Sequence, residues 1–136
     1  STLRAVTGYL GPRRTLLVVD DQPLHRQLLA SILMPLGFVV REAASGQECL
    51  EIIEQHPPDL LLLDLTMDGL DGWQTAAAVR ELLPASALPI VFVSANLFDN
   101  RPEELTRLEC QGFVAKPMME SELLDALQRR VGGDVA

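Results

Sequence analysis

Short apolar runs alternate with amphipathic stretches along the chain from residue 15 onward. The apolar runs are too short for helices and end in polar or turn-forming residues, so they predict five strands. Few polar residues interrupt them, which is typical of a parallel sheet covered by helices on both faces. The predicted strands are residues 15–19, 38–40, 60–63, 89–93 and 113–115.

The stretches between these strands carry the helical spacing of apolar residues. The first predicted helix opens at Pro23 and closes near Gly37. Its apolar face combines five residues: Leu24, Leu28, Leu29, Ile32 and Leu33. Of four further helices, one stops before Pro57, one covers residues 73–83, one begins at Pro102 and one covers residues 123–131. Five strand–helix units predict a single doubly wound α/β domain.

The composition is that of an ordinary globular domain with an acidic balance. The chain has 136 residues, of which 48% are hydrophobic and 22% charged, and its net charge is −8. This length suits one domain, predicted at residues 15–131 between a linker at 1–14 and a tail at 132–136. The acidic balance argues against a nucleic-acid surface, which needs clustered basic residues.

The sequence predicts neither a membrane segment nor an exported protein. Its apolar runs are far shorter than the ~20 residues of a spanning helix, and no signal-peptide pattern begins the chain. Cys49 and Cys110 lack metal-ligand spacing and are expected to be reduced and buried. A cytoplasmic location without direct membrane contact is therefore expected. The chain begins at Ser1, which predicts a processed or excised piece of a longer protein.

Polar residues stand where four of the predicted strands end. They are Asp20 and Asp21 after the first strand, Asp64 after the third, Ser94 after the fourth, and the only lysine, Lys116, after the fifth. The carboxyl ends of parallel strands share one edge of a sheet, so these side chains are expected to converge. A carboxylate cluster needs a cation, and hard oxygen ligands favour Mg²⁺. Because a lysine suits an anionic phosphoryl group, the set predicts phosphoryl transfer to an aspartate.

Five short motifs occur in the order, and at the strand ends, of one known family. They are the acidic pair at 20–21, the run at 63–67, Asp71-Gly72, Ser94-Ala95 and Lys116-Pro117. Together they resemble the receiver domain of two-component response regulators, over residues 15–131. The resemblance implies a flavodoxin-like fold, with five parallel strands in the order 2-1-3-4-5 and five helices.

The resemblance implies a metal and phosphoryl site centred on Asp64. Asp64 is expected to be the phosphoacceptor. Asp20 and Asp21 are expected to hold Mg²⁺, together with Asp64 and the backbone carbonyl of Thr66. The implied partner is a histidine kinase or a histidine phosphotransfer domain. The resemblance implies that the chain is not an enzyme, except that it catalyses its own phosphorylation and dephosphorylation.

The resemblance also implies a conformational switch. Ser94 and Lys116 are each expected to bind a phosphoryl oxygen, and Phe113 to move inward when Ser94 shifts. This motion would remodel the surface of the fourth helix, fifth strand and fifth helix, and the Lys116–Pro117 peptide is expected to be cis. Two positions depart from the family pattern. Asp68 replaces the usual proline and adds a carboxylate, and Phe113 replaces the commoner tyrosine and lacks its hydroxyl.

Four polar or aromatic residues have simpler interpretations. His25 and His56 are expected at the surface, Trp73 in helix packing, and Asp71 in an Asp-Gly turn. None of the four is assigned to the site from the sequence.

Two other functions stay open on the sequence alone. A haloacid-dehalogenase-like phosphatase also uses an aspartate nucleophile and Mg²⁺, but it needs a second acid where this chain has Thr66. A degenerate receiver would act only as a docking module. The parent is expected to be a hybrid sensor histidine kinase, because residues 8–14 resemble its linker, with a single-domain regulator as the alternative. A weak homodimer through the last strand and helix is left open.

Overall fold

Strands and helices alternate through residues 14–95 and 100–116, the part of the chain that the computed structural model describes. The strands are β1 (Thr15–Val19), β2 (Val39–Ala43), β3 (Leu60–Asp64), β4 (Ile90–Ser94) and β5 (Gly112–Ala115). The α-helices are α1 (Pro23–Leu33), α2 (Gly46–Gln55), α3 (Gly72–Leu82) and α4 (Pro102–Arg107), and a 3-10 turn at Met34–Leu36 follows α1. The fifth helix predicted at 123–131, Pro117, and nearly all of the predicted linker and tail lie outside the described residues. Within the described ranges, no helix has the length and apolar composition needed to cross a membrane.

The five strands form one parallel sheet in the order β2-β1-β3-β4-β5, which confirms the predicted topology. The register brings the carboxyl ends of neighbouring strands level. Val19 of β1 lies opposite Leu63 of β3, and Ser94 of β4 lies opposite Ala115 of β5. A polar residue at the end of any of these strands therefore comes to the same edge of the sheet.

Each face of the sheet buries its own apolar cluster. Successive residues of a strand point to opposite faces. Leu16 accordingly packs in the cluster that contains Leu33 of α1. Leu17 packs in the other cluster, with Ile53 of α2 and Val79 of α3. Because both faces are covered, the central strands are apolar on both faces up to the polar residues at their ends.

Helix α1 buries a narrower face than the sequence predicts. Leu29 and Leu33 are buried, but Leu24 and Leu28 are 76% and 51% exposed, so the prediction of one common face is wrong for this pair. At about 100° per residue, the pair points roughly 140° away from Leu29 and Leu33. The sheet covers only one of these two arcs.

Strand β2 also departs from its predicted bounds. Phe38 is buried but precedes the strand, and the strand continues past residue 40 through Arg41 and Glu42. Since β2 is an edge strand with β1 as its sheet neighbour, its two faces are only partly covered and can carry polar residues. The apolar run therefore marks only the first part of the strand.

Both cysteines of the chain are free thiols. Cys49 is buried, as predicted, whereas Cys110 is only half-buried. Burial raises the pKa of Cys49 to about 12 and that of Cys110 to about 11. Both side chains therefore stay protonated and unreactive at neutral pH.

One arginine ties α3 to the amino-terminal edge of the sheet. The Arg80 guanidinium donates hydrogen bonds to the backbone carbonyls of Leu88, Leu108 and Glu109. These carbonyls lie in the segments that lead into β4 and β5. The segment before β5 turns at Glu109, which has a positive φ of 53°. Burial lowers the pKa of Arg80, but a guanidinium keeps its charge at neutral pH. The side chain thus holds two strand entries against one helix.

Arg80→Met is expected to lower the free energy of unfolding by about 2–3 kcal/mol, because three carbonyls lose their donor. Arg80→Lys should recover only part of that loss, since an ammonium lacks the planar fork that reaches separate carbonyls. Urea unfolding followed by the fluorescence of Trp73, the single tryptophan, measures both variants. Equal unfolding midpoints for Arg80→Met and wild type would contradict this role.

Candidate functional site

Three carboxylates converge at the carboxyl edge of the sheet. Asp20 directly follows β1, Asp21 is its neighbour, and Asp64 is the last residue of β3, the strand beside β1. One oxygen from each carboxylate lies within 4.8 Å of the other two. Asp20 and Asp64 are 1% and 6% exposed, whereas Asp21 is half-buried. The structure therefore brings together the acidic residues that the sequence singled out.

The turn at Asp20 is held by β2, by its own following residues and by α1. Its amide donates to the carbonyl of Ala43 (3.1 Å), and its carboxylate accepts from the amide of Gln22 (2.9 Å). Arg26 donates through Nη1 to the Asp20 carbonyl (2.7 Å) and through Nε to Glu42 (3.0 Å). Arg26 was not among the residues predicted for the site. The sequence did hold a signal for this contact, because Arg26 lies early in a helix that begins beside the acidic pair.

The loop after Asp64 is pressed against the start of α3. The Gly72 amide donates to the Leu65 carbonyl (3.0 Å), and a Cβ on Gly72 would lie only 2.5 Å from the Asp64 carbonyl oxygen. Only glycine leaves room for this approach. Asp71 caps α3 in a reciprocal capping box with Gln74, which corrects the predicted Asp-Gly turn. The acid–x–x–glutamine spacing was the sequence signal for this box.

The only lysine of the chain lies between two of the carboxylates. Lys116 follows β5, and its amide donates to the Ser94 carbonyl (2.7 Å). Its Nζ is 2.7 Å from Asp20 Oδ2 and 3.4 Å from Asp64 Oδ1. His25 of α1 places Nδ1 3.0 Å from the same Nζ, although about half of its side chain is exposed. The prediction of a surface histidine is therefore right about exposure but misses this contact.

Burial and neighbouring charges control the protonation of Asp64. Burial raises the pKa of its carboxyl to about 6; the Lys116 ammonium opposes this rise, the Asp20 carboxylate adds to it and the Thr66 amide opposes it. The Lys116 ammonium contacts two of the carboxylates, and Asp21 adds a third to the cluster. This excess of negative charge favours the binding of a further cation.

A cleft of about 370 Å³ opens beside the carboxylates. Thr66 and Asp68 line it from the loop after β3, and Gln22 and His25 line it from the start of α1. Mg²⁺ prefers hard oxygen ligands and keeps several of its waters. Three carboxylates beside an open cleft supply both, so the residues present fit that ion.

Asp68 contributes a backbone donor as well as a carboxylate. Its amide donates to Asp21 Oδ2 (3.2 Å). The proline that is usual at this position in the family has no N–H to donate. The departure at Asp68 thus links the loop after β3 to Asp21, and this contact was not predicted from the sequence.

Ser94 and Phe113 lie on the same side of the sheet. Phe113 pairs with Phe92 across β4 and β5, and Ser94 is two residues beyond Phe92 on the same strand. Ser94 is 1% exposed, and Phe113 is partly buried against the apolar cluster that contains Phe92. Trp73 also packs on Phe92, with 4.5 Å between ring centroids, in line with its predicted packing role.

Asp64→Asn is expected to stabilise the protein at neutral pH when divalent ions are chelated. The folded-state pKa of about 6 lies above the ordinary value of 3.8, so ionising this carboxyl is less favourable in the folded than in the unfolded chain. The stability advantage of Asp64→Asn over wild type should therefore grow as the pH rises from about 4 to about 7, by on the order of 1–3 kcal/mol. Urea unfolding at the two pH values measures this difference.

The control for that experiment is Glu54→Gln, which removes one exposed negative charge from α2. It should follow the pH dependence of wild type. A stability difference between Asp64→Asn and wild type that stays constant from about pH 4 to about pH 7 would contradict the raised pKa of Asp64.

Known proteins share this sequence pattern. Residues 16–128 match the family model for the response regulator receiver domain. The chain is 38% identical over 118 residues to the positive alginate biosynthesis regulatory protein of Pseudomonas aeruginosa, covering 83% of this chain and 45% of that protein. It is 32% identical over 114 residues to the sensor histidine kinase RcsC of Salmonella typhi, covering 84% of this chain and 11% of that protein. The chain thus spans less than half the length of either relative.

Solved structures share the fold. The response regulator protein TrrA of Thermotoga maritima, in complex with Mg²⁺-BeF, has a TM-score of 0.77 and 26% sequence identity to this chain. The similarity covers 85% of this chain and 97% of that one. The family match includes all of the sheet except the first residue of β1, and every residue of the acidic cluster. The chain therefore belongs to the receiver domains of two-component response regulators, as its motifs predicted.

Proposed function

We propose that this receiver domain accepts a phosphoryl group on Asp64 from the phosphohistidine of a histidine kinase or a histidine phosphotransfer domain. One observation carries this assignment: Asp64 lies 3.4 Å from the Lys116 ammonium, within the three-carboxylate cluster, and also lines the cleft. Asp20 is already engaged by Lys116 and by the amide of Gln22. Asp64 is thus the buried carboxylate that an incoming phosphoryl group can reach.

The transfer exchanges one bond to phosphorus for another. A carboxylate oxygen of Asp64 attacks the phosphorus, the O–P bond forms, and the P–N bond to the donor imidazole breaks. The donor imidazole, protonated at its other ring nitrogen, leaves as a neutral ring with the electron pair of the broken bond. Because the acceptor must be ionised, the pKa of about 6 leaves Asp64 largely competent at neutral pH.

Asp20, Asp21, Asp64 and the backbone carbonyl of Thr66 would hold Mg²⁺, which supplies charge neutralisation for the phosphoryl oxygens when bound. The Mg²⁺-BeF complex of TrrA supports this choice of ion. The Lys116 ammonium then pairs with one phosphoryl oxygen, as a compact point charge can do in a narrow site. The Ser94 hydroxyl donates a hydrogen bond to another.

Phosphorylation is proposed to act on the surface through Ser94 and Phe113. The modification adds up to about two negative charges at the carboxyl edge of the sheet. Ser94 moves toward the phosphoryl group, and Phe113 moves into the space that this shift opens. Their positions on one side of the sheet support a direct coupling. The surface that responds includes α4 and β5.

Two alternatives fit the site less well. A haloacid-dehalogenase-like phosphatase needs a second carboxylic acid two residues after the nucleophile, and this chain has Thr66 there. A docking module without phosphoryl chemistry has no use for buried like charges around an ammonium. The receiver is thus proposed to catalyse its own phosphorylation and dephosphorylation and no other reaction.

We propose a hybrid sensor histidine kinase as the parent protein, with a stand-alone regulator as the alternative. The similarity to RcsC, a sensor histidine kinase, supports this choice. In such a parent the receiver lies in the cytoplasm, contacts no nucleic acid and exchanges phosphoryl groups with a histidine-bearing domain.

Incubation with acetyl phosphate and Mg²⁺ is expected to add one phosphoryl group to wild type, because the small donor needs no protein partner. Intact-protein mass spectrometry measures this addition. Asp64→Asn should take up none, and chelating the metal should abolish labelling of wild type. Equal labelling of Asp64→Asn, or none of wild type, would contradict the proposed function.

Lys116→Arg is expected to leave the unfolding midpoint nearly unchanged but to slow phosphorylation by about tenfold or more. The planar guanidinium is broader than the ammonium that fits between Asp20 and Asp64, where only 15% of the Lys116 side chain is exposed. Arg101→Lys, the reverse exchange at an exposed position, is the control. Wild-type phosphorylation rates in Lys116→Arg would count against the assignment of Lys116.

A further inference from the structure

A histidine from α1 reaches the ammonium of the site. His25 lies in the first turn of α1, 91 positions before Lys116 in the sequence. Its Nδ1 is 3.0 Å from Lys116 Nζ and 3.3 Å from Asp20 Oδ2. The contact therefore joins the first helix to the residue that follows the last strand.

The hydrogen-bonding capacity of the two groups determines which of them donates in the contact between Lys116 and His25. An ammonium carries three N–H donors and no acceptor, so the imidazole nitrogen that faces it must offer a lone pair. His25 accordingly accepts at Nδ1 and, in its neutral form, carries its proton on Nε2. The ammonium thus has three acceptors: Asp20 Oδ2 at 2.7 Å, His25 Nδ1 at 3.0 Å and Asp64 Oδ1 at 3.4 Å.

We propose that His25 is a positioning residue that holds the Lys116 ammonium on the α1 side of the site in the unphosphorylated protein. The contact itself does not depend on the proposed function, but its effect on the rate of phosphorylation rests on that function. When a phosphoryl oxygen arrives, it replaces the neutral Nδ1 as an acceptor, because an anionic acceptor binds an ammonium more strongly. The His25 contact then stabilises the unphosphorylated state alone and slows phosphorylation.

Three substitutions of His25 distinguish the role of the hydrogen-bond acceptor at Nδ1 from that of the imidazole ring as a whole. Asparagine places its side-chain oxygen as many bonds from Cα as Nδ1, glutamine places it one bond further, and leucine has no acceptor. His25→Asn should therefore keep the contact, and His25→Leu should lose it. His25→Gln should lie between them. His56→Leu, at the other histidine of the chain and beyond the end of α2, is the control.

The single lysine permits a direct measurement that needs no phosphoryl chemistry. In protein labelled only at lysine with ¹⁵N and ¹³C, one side-chain resonance reports Lys116. In chelator at mildly alkaline pH, its Nζ and Cε shifts should match in wild type, His25→Asn and His56→Leu, and should move in His25→Leu. An unchanged signal in His25→Leu, or a His25→Asn signal like that of His25→Leu, would overturn the positioning role.

The rate of phosphorylation by acetyl phosphate tests whether the His25 contact slows the reaction. His25→Leu should react about threefold to tenfold faster than wild type, the effect of removing one hydrogen bond from the starting state only. His25→Asn and His56→Leu should react at the wild-type rate. Equal or slower reaction of His25→Leu would overturn the exchange of acceptors. If wild type takes up no phosphoryl group, the proposed function fails, while the lysine resonance still decides the contact.

Discussion

Two carboxylates, Asp20 and Asp64, are buried beside each other, and the ammonium of Lys116 is the cation that compensates them. A buried charge without a partner costs several kcal/mol, so the elements that carry these residues must keep them together. The compensation of charge is incomplete, because Asp21 adds a third carboxylate to the cluster. Burial disfavours the ionised form of Asp64 and raises its pKa, and the excess of carboxylates favours a divalent cation at the site.

The scaffold meets this constraint with a few close contacts. The parallel register brings the ends of β1 and β3 level, and Gly72 lets α3 approach the backbone of Asp64. Arg26 fixes the carbonyl of Asp20 from α1, and the Asp68 amide holds Asp21 from the opposite loop. The acidic cluster therefore depends on backbone contacts as much as on its own side chains.

Much of this arrangement could be read from the amino-acid order. Apolar runs ending in acidic or basic residues marked the strand ends, since covered parallel strands are apolar along their length. Helix faces were harder to predict. Leu24 and Leu28 share the helical spacing of Leu29 and Leu33, yet the sheet covers only the second pair. The spacing shows that residues share a face, but not which arc of the helix has a neighbour.

The sequence by itself determined the fold class, the order of the strands and the residues placed at their ends, because these depend on local periodicity and on a family pattern. Only the tertiary structure decided which other side chains join the site. The contact of His25 with Lys116 and that of the Asp68 amide with Asp21 join residues that lie far apart in the sequence, so no local spacing encodes them. The tertiary structure also set the raised pKa of Asp64, because burial and neighbouring charges exist only once the strands are assembled.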